Sequence, residues 1–202
     1  VHVPKKIAGH RSITIWADFS TVSWVPESAG SWAPPLLFEH ISSAETPLQK
    51  GADQLRSISQ AVQALDVRLV SLWDSEYGCA PFVNATHDIA ADKLFRLRPN
   101  LCLWGPPPPY PGRGRPAVHG PAFKLCEPLT WGQPASKLEL LDPDLGRVQV
   151  LVWRLLHFRQ AADQPLVVVR IERLEAAHTA RDPGVLWLGW HGAEPPSLAI
   201  WW

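Results

Sequence analysis

The stretch Val67-Arg68-Leu69-Val70-Ser71-Leu72-Trp73 runs directly into Asp74-Ser75-Glu76-Tyr77-Gly78. The first seven residues are mostly apolar and follow a segment with a helical pattern, so they predict a buried strand parallel to its neighbour. Ligand sites in open α/β sheets gather at the carboxyl ends of strands, where Asp74 would project a carboxylate from a rigid element, as Mg²⁺ requires. The alternative, favoured on spacing alone, is that Asp74 or Ser75 only caps a short helix between residues 76 and 86.

The residues before this stretch predict a hairpin and then a helix. Segments rich in β-forming residues over 13–25 and 32–41 flank the turn-like residues 26–30, a pattern that is typical of a hairpin. Thr46-Pro47 then supplies an N-cap and a proline at the first helical position. The helix is predicted over 46–65, because apolar residues recur there every three or four positions: Leu48, Ala52, Leu55, Ile58, Val62 and Leu65.

The residues after the stretch predict a strand, an irregular segment and then a β-rich region. Residues 93–98 alternate as a strand does, whereas 99–134 contain nearly half of the chain's 21 prolines and predict an irregular, partly polyproline segment. Further strands are predicted at 137–141, 147–156, 166–174 and 185–190. The predicted order is therefore β-β-α-β-α-β, followed by a proline-rich excursion and a run of antiparallel strands.

The amino-acid composition indicates a globular protein but does not indicate its function. Hydrophobic residues make up 46% and charged residues 19% of the 202 residues, as in an ordinary globular protein. Lys plus Arg equal Asp plus Glu at 19 each, which argues against a basic coat over the whole surface but leaves a local basic patch open. The three cysteines have neither disulfide-framework nor zinc spacing. With no visible signal peptide and no apolar run of about 20 residues, the chain is predicted to be soluble and cytoplasmic, with no membrane partner.

Several stretches, in a consistent order, resemble a DDE transposase family of bacterial insertion sequences. Leu72-Trp73-Asp74-Ser75-Glu76-Tyr77-Gly78 is similar to the motif that carries the second aspartate of that family. Ala91-Asp92-Lys93-Leu94-Phe95-Arg96-Leu97-Arg98 is a second similar stretch, and the others lie at 1–4, 100–104, 112–116, 119–120, 123–125 and 156–161. The similarity extends from residue 1 to about residue 195.

The resemblance implies an α/β fold with an incomplete ribonuclease-H-like mixed sheet and helices, plus a proline-rich and β-rich insertion. It divides the chain into a partial ribonuclease-H-like core at 1–98, the insertion at 99–195 and a truncated tail at 196–202. The hairpin would be strands two and three of that core, and 67–73 would be strand four.

The implied chemistry is DNA strand cleavage and transfer by two Mg²⁺ ions that three carboxylates hold. Asp74 would be a catalytic residue and a metal ligand, whereas the family's first Asp is expected before Val1 and its Glu after Trp202. A chain without methionine that ends in the apolar Ala199-Ile200-Trp201-Trp202 also suggests a piece of a longer protein. We therefore expect the isolated chain to be inactive. The alternatives are a non-catalytic DNA-binding or interaction remnant of a transposase, and a β-rich binding module in which the Asp74 motif is a coincidence.

The implied partner is DNA, at the ends of the element and at its target, and self-association is left open. Arg113-Gly114-Arg115-Pro116 resembles minor-groove hooks, in which paired arginines enter a narrow groove, and Lys124 would add a phosphate contact. The alternative for this stretch is a solvated loop. His157 and Arg159 either bind DNA or form a structural hydrogen-bond network, and the second is favoured.

Overall fold

The computed structural model of the chain describes residues 3–5, 13–15, 18–25, 33–143, 146–175 and 184–195, the first two ranges as backbone only. The predicted turn at 26–30 and the predicted tail at 196–202 lie outside the described residues. The strands are β1 (Val3–Lys5), β2 (Ile13–Ile15), β3 (Asp18–Ser23), β4 (Pro35–Ile41), β5 (Val70–Trp73), β6 (Asp92–Arg96), β7 (Cys102–Trp104), β8 (Ala122–Lys124), β9 (Ser136–Asp142), β10 (Gly146–Phe158), β11 (Ala161–Arg173) and β12 (Val185–His191). The helices are α1 (Pro47–Val62) and α2 (Ala80–Thr86), and short 3-10 turns lie at Gln63–Leu65 and Pro128–Thr130.

Eight of these strands form one mixed sheet. Its order is β5-β6-β12-β11-β10-β7-β8, and β9 pairs with β10 beside that path. β5 and β6 are parallel, with α2 between them in the chain, while the other pairs are antiparallel. β3 and β4 form the predicted hairpin as a separate two-stranded sheet, and β1 pairs with β2. The fold is thus the predicted mixed α/β type, consistent with a ribonuclease-H-like core.

The prediction of helix α1 is confirmed. In the chain this helix connects the hairpin to the main sheet. The Gln49 N–H donates to Thr46 Oγ1 at 3.2 Å and the Thr46 N–H donates to Gln49 Oε1 at 3.1 Å, so each residue satisfies a free N–H of the other. The buried face of the helix includes Ala52 and Leu55. The Ser20 hydroxyl of β3 donates to Gln54 Oε1 at 2.5 Å, which ties the hairpin to the helix.

Strand β5 is parallel, as predicted, but the prediction that it is buried is wrong for half of its residues. Among the described strands, β5 pairs with β6 alone and therefore lies at the edge of the sheet. Val70 is 41% exposed and Leu72 62% exposed, because no described element covers that side. Ser71 and Trp73 face the other side, where the Trp73 ring packs against Phe82 of α2 at a centroid distance of 4.5 Å.

Two further predictions are corrected by the tertiary structure. Helix α2 begins at Ala80 rather than at residue 76, because residues 75–77 form a turn. The proline-rich segment is not wholly irregular, since β7 and β8 pair with each other inside it and β7 joins β10. The strands predicted between 137 and 190 are confirmed as β9 to β12.

The predicted core and insertion share one sheet. β6, from the predicted core, pairs with β12, from the predicted insertion, in the register Leu188↔Arg96 to His191↔Lys93. The predicted division at residue 98 therefore crosses a continuous hydrogen-bonded surface, and it stays a prediction. In the described part of the chain no helix is long and apolar enough to cross a membrane.

Candidate functional site

Asp74 is the first residue after β5, and its side chain is exposed. Its Oδ1 accepts a hydrogen bond from the Glu76 N–H at 2.8 Å, which closes a tight turn. The N-cap of α2 is Cys79, so the alternative in which Asp74 or Ser75 caps that helix is wrong. In the described part of the chain no Lys, Arg or His forms an ion pair with Asp74. A carboxylate oxygen at the carboxyl end of a parallel strand is therefore left available to a ligand.

The other residues of the motif hold this turn in place. The Tyr77 ring lies 4.7 Å from the Trp73 ring and 5.1 Å from the Phe82 ring, measured between centroids. Helix α1 passes so close that a Cβ on Gly51 would lie 2.7 Å from Tyr77 Cε1. Gly78 is buried against β6, where a Cβ would overlap the carbonyl oxygen of Arg96. Within one short motif, the aromatic residues and the glycine thus pack while the aspartate faces solvent.

The hydroxyl of Tyr77 also connects the turn to the hairpin. Burial raises the pKa of Tyr77, the neighbouring Glu76 and Asp74 carboxylates raise it further, and a hydrogen bond with the Ser20 side chain opposes them. Since the shift is upward, the phenol keeps its proton at neutral pH and adds no negative charge beside Asp74.

The described residues fit a divalent metal only in part. Magnesium prefers carboxylate oxygens, and Asp74 presents one carboxylate at a rigid position. Among the described residues, however, no group of three His, Cys, Asp or Glu side chains lies close enough together to hold a metal ion. The described chain thus presents one carboxylate where the two-metal centre is predicted, and no complete set of ligands.

The two predicted DNA-binding arginines lie together at the tip of a long loop between β7 and β8. The loop closes at its foot, where the Gly105 N–H donates to Pro121 O and the Gly120 N–H donates to Gly105 O, both at 2.9 Å. At the tip, the Tyr110 hydroxyl donates to Gly114 O at 2.8 Å. Arg113 and Arg115 are exposed on this tip, and neither forms an ion pair with another described residue.

Gly112 and Gly114 alternate with the arginines because the tip requires a left-handed backbone. Their φ angles are 79° and 86°, a region that residues with a Cβ rarely adopt. Lys124 differs from the arginines, since it lies on β8 outside the loop and its Nζ is 3.0 Å from Glu127 Oε1. The structure therefore brings Arg113 and Arg115 together but leaves Lys124 apart and partly neutralised.

The sequence contains a long segment without acidic residues. The equal numbers of acidic and basic residues in the whole chain conceal it. Between residues 93 and 126 there are six of the 19 Lys and Arg residues and none of the 19 Asp and Glu residues. The six are Lys93, Arg96, Arg98, Arg113, Arg115 and Lys124. All but Lys93 retain solvent exposure, so the segment exposes five cationic side chains and contributes no acidic one.

A pair of histidines lies at the foot of the loop. His119 Nδ1 is 3.0 Å from His157 Nε2. The His119 ring also lies 5.4 Å from the Trp104 ring, over which the Arg159 guanidinium sits at 5.8 Å. Burial lowers the pKa of His157, and the neighbouring His119 lowers it further. His157 therefore belongs to a hydrogen-bonded network, which agrees with the structural role favoured from the sequence.

Comparison with protein families places most of the chain in a known family. A family described as DDE superfamily endonuclease matches residues 2–155, about three quarters of the chain. The matched range includes the hairpin, α1, the Asp74 turn and the loop that carries the two arginines. No curated protein and no solved structure matches the chain.

Proposed function

Because the chain belongs to the DDE superfamily endonucleases, we propose that it serves DNA strand cleavage and transfer during transposition of an insertion sequence. The observation that carries this proposal is Asp74, an exposed carboxylate without a cationic partner among the described residues, at the carboxyl end of a parallel strand inside the matched range. Endonucleases of this superfamily generally use divalent metals such as Mg²⁺. Such ions, when bound, activate a water or a 3′-hydroxyl and stabilise the leaving oxygen.

Asp74 is the residue that would hold such an ion. The Glu76 N–H occupies Oδ1, which orients the carboxylate and leaves Oδ2 for a cation. The packing of Trp73, Tyr77 and Gly78 keeps the turn rigid, and rigidity matters because a metal ligand must be held to within about 0.5 Å.

We further propose that the described residues do not cleave DNA by themselves. Two divalent cations need several anionic oxygen ligands, and in the described part of the chain no three His, Cys, Asp or Glu side chains lie close enough together to hold an ion. Purified chain mixed with Mg²⁺ and the DNA ends of the element is expected to bind the DNA without nicking it. Nicking that is lost in Asp74→Ala would overturn this part of the proposal while supporting the family chemistry.

Asp74→Ala is expected to abolish local binding of a divalent cation without unfolding the chain. In an NMR titration with Mn²⁺, resonances of residues 74–77 should broaden at millimolar metal in the native chain and stay sharp in the variant, since one carboxylate holds a hydrated ion only weakly. Asp163→Ala is the matched control, because Asp163 is also an exposed aspartate on the same sheet. Equal broadening in native chain and Asp74→Ala would remove Asp74 from the metal site.

Arg113 and Arg115 are proposed to bind the DNA backbone. Two observations support this: both side chains are exposed on the same loop tip, and residues 93–126 contain no acidic residue. Replacing both with Ala is expected to reduce the slope of log affinity against log salt concentration by about 2, because each phosphate contact contributes about 0.9. Fluorescence anisotropy with a labelled duplex at several salt concentrations measures the slope. Lys124→Ala is expected to change it less, since Glu127 already neutralises Lys124.

The control for this measurement removes two cations elsewhere. Lys137 and Arg147 are both exposed and both lie within ion-pair distance of Glu139, outside the basic segment. Lys137→Ala/Arg147→Ala should leave the salt slope close to that of the native chain. If the control lowers the slope as much as Arg113→Ala/Arg115→Ala does, binding is nonspecific and the loop has no special role.

The second candidate function is a DNA-binding remnant without catalysis, and the basic segment favours it as much as it favours a nuclease. The two candidates differ at Asp74, because a remnant has no need of a metal ligand there. Strong DNA binding with no Mn²⁺-dependent change at Asp74 would select the remnant. For either candidate we propose a cytoplasmic location, where the DNA partner is. We also propose for both a core over residues 1–98 and an insertion over residues 99–195.

A further inference from the structure

A pocket lies at the end of the sheet opposite Asp74. Asp74 follows the carboxyl end of β5, whereas Arg68 precedes β5 and Asp92 begins the parallel strand β6. The pocket has a volume of about 430 Å³, and its wall includes Arg68, His87, Asp92, Lys93 and His191. The amino ends and the carboxyl ends of parallel strands lie at opposite ends of a sheet, so this pocket is separate from the Asp74 turn.

Lys93 is the unusual group in this wall. Only 1% of the residue is exposed, and its ammonium donates one hydrogen bond, to Ile89 O at 3.2 Å. No carboxylate of the described residues lies within ion-pair distance of Lys93 Nζ. An ammonium has three donors, so two of them find no acceptor among the described residues.

Asp92 and Asp88 attract the Lys93 charge without reaching ion-pair distance, and other groups occupy the carboxylate of Asp92. Arg68 Nε donates to Asp92 Oδ2 at 2.5 Å, and the Ala193 N–H donates to Asp92 Oδ1 at 2.7 Å. The close approach of the chain at Gly192 keeps the carboxylate in this place, since a Cβ there would overlap Asp92 Oδ1. The three charged side chains of the wall therefore sum to one excess positive charge.

His191 adds a second unsatisfied polar atom to the same wall. Its Nε2 is 3.0 Å from Gln164 Oε1, while its Nδ1 is buried and has no partner among the described residues. Burial lowers the pKa of His191 to about 4, with a further contribution from the Lys93 charge. His87 is exposed at the rim, where its Nδ1 lies 2.8 Å from Asn84 O.

A buried ammonium without a counter-charge is costly, and two states relieve the cost. Either the amine loses its proton, as burial favours by lowering the pKa of Lys93, or an anion enters and neutralises it. An oxyanion suits the wall better than a halide, because two of its oxygen atoms can accept from the two free N–H groups of Lys93 together. The pocket is also large enough for a tetrahedral oxyanion.

We propose that this pocket is a binding site for an oxyanion of the phosphate class, held by the Lys93 ammonium beside His191. Arg68 does not contact the anion directly, since it is committed to Asp92 and to the carbonyl oxygen of Glu194. The phosphate group has two possible sources, a free small anion or the backbone of DNA. The site is independent of the metal chemistry at Asp74.

The test is the thermal unfolding of the full chain at pH 7 in inorganic phosphate and in chloride of equal ionic strength. Phosphate is expected to raise the native Tm by about 3–8 °C with a saturable dependence, as a ligand specific to the folded state does. Lys93→Met should lose the saturable rise. In chloride it should be at least as stable as the native chain, because an apolar group replaces a buried charge that has no ion-pair partner among the described residues. Lys137→Met, at an exposed lysine, should keep the native response.

Two additional arms complete the test. A short DNA duplex that raises Tm through Lys93 where inorganic phosphate fails would identify DNA backbone as the source and keep the site. If Lys93→Met does not fold, the His191 Nδ1 resonance of the native chain gives the answer, since it should shift on addition of phosphate. The proposal is overturned if phosphate stabilises native chain and Lys93→Met equally, or if neither phosphate nor duplex changes Tm or that resonance.

Discussion

Gly78→Ala is expected to lower the free energy of unfolding by about 2–3 kcal/mol. The added Cβ would overlap the carbonyl oxygen of Arg96, and the Leu97 Cδ2 atom is the next nearest at 3.3 Å. A backbone carbonyl cannot rotate away as the end of a flexible side chain can, so either the 74–78 turn or β6 must shift. Chemical denaturation at constant temperature measures the loss as a lower midpoint.

The matched control is Gly105→Ala, another buried glycine that leaves room for a methyl group. A Cβ on Gly105 would lie 3.4 Å from Pro121 Cδ, an ordinary van der Waals distance, so the change should cost less than about 1 kcal/mol. Asp74→Ala should also be mild, since it removes one exposed hydrogen bond worth about 0.5–1.5 kcal/mol. If Gly78→Ala proves as stable as Gly105→Ala, the glycine of the motif has no packing role.

Acidification from pH 7 to pH 4 is expected to cost the fold about 2–3 kcal/mol through His191 alone. Burial, the Lys93 charge and His87 hold the pKa of His191 at about 4, below its ordinary value of 6.5. Because the folded pKa is the lower one, the unfolded chain takes up the proton first as the pH falls. The contribution of His191 is therefore intact above pH 6.5 and is lost progressively down to pH 4.

Carboxylates also titrate in this range, so the effect is read from a difference. The free energy of unfolding is measured against pH for the native chain and for His191→Gln, in buffer without phosphate. The two curves should converge as the pH falls from 6.5 to 4, since the variant has no imidazole to protonate. Curves that stay parallel would show that His191 is not held neutral in the fold.

Local patterns predicted those elements whose reasons are local. Helix α1 depends on an apolar face that repeats every three or four residues and on Thr46-Pro47 at its start, and both were readable without a structure. The strands β9 to β12 were predicted within a few residues, because each is an apolar alternating run between turn residues. Asp74 was singled out for the same kind of reason, since it is the first polar residue after an apolar run.

The elements that were mispredicted depend on neighbours that are distant in the chain. An apolar run such as 67–73 predicts a buried strand, yet β5 is exposed on one face because no described element covers that face. The start of α2 was placed too early, since the turn at 75–77 is held by Tyr77 packing on Trp73 and by Gly78 against β6. The basic segment over 93–126 was readable in principle and was missed because charge was summed over the whole chain.

The sequence by itself determined the mixed α/β class, helix α1, the strand that precedes Asp74 and the resemblance that the family match confirms. These follow from short-range periodicity and from motif order, which a linear chain displays directly. Only the tertiary structure decided that β5 is an edge strand and that Asp74 closes a turn instead of capping a helix. It also decided that Lys93 is buried with no carboxylate of the described residues within ion-pair distance. The reason is physical: burial and charge compensation are set by residues that are brought together across the sheet, from as far apart in the chain as Asp92 and Ala193.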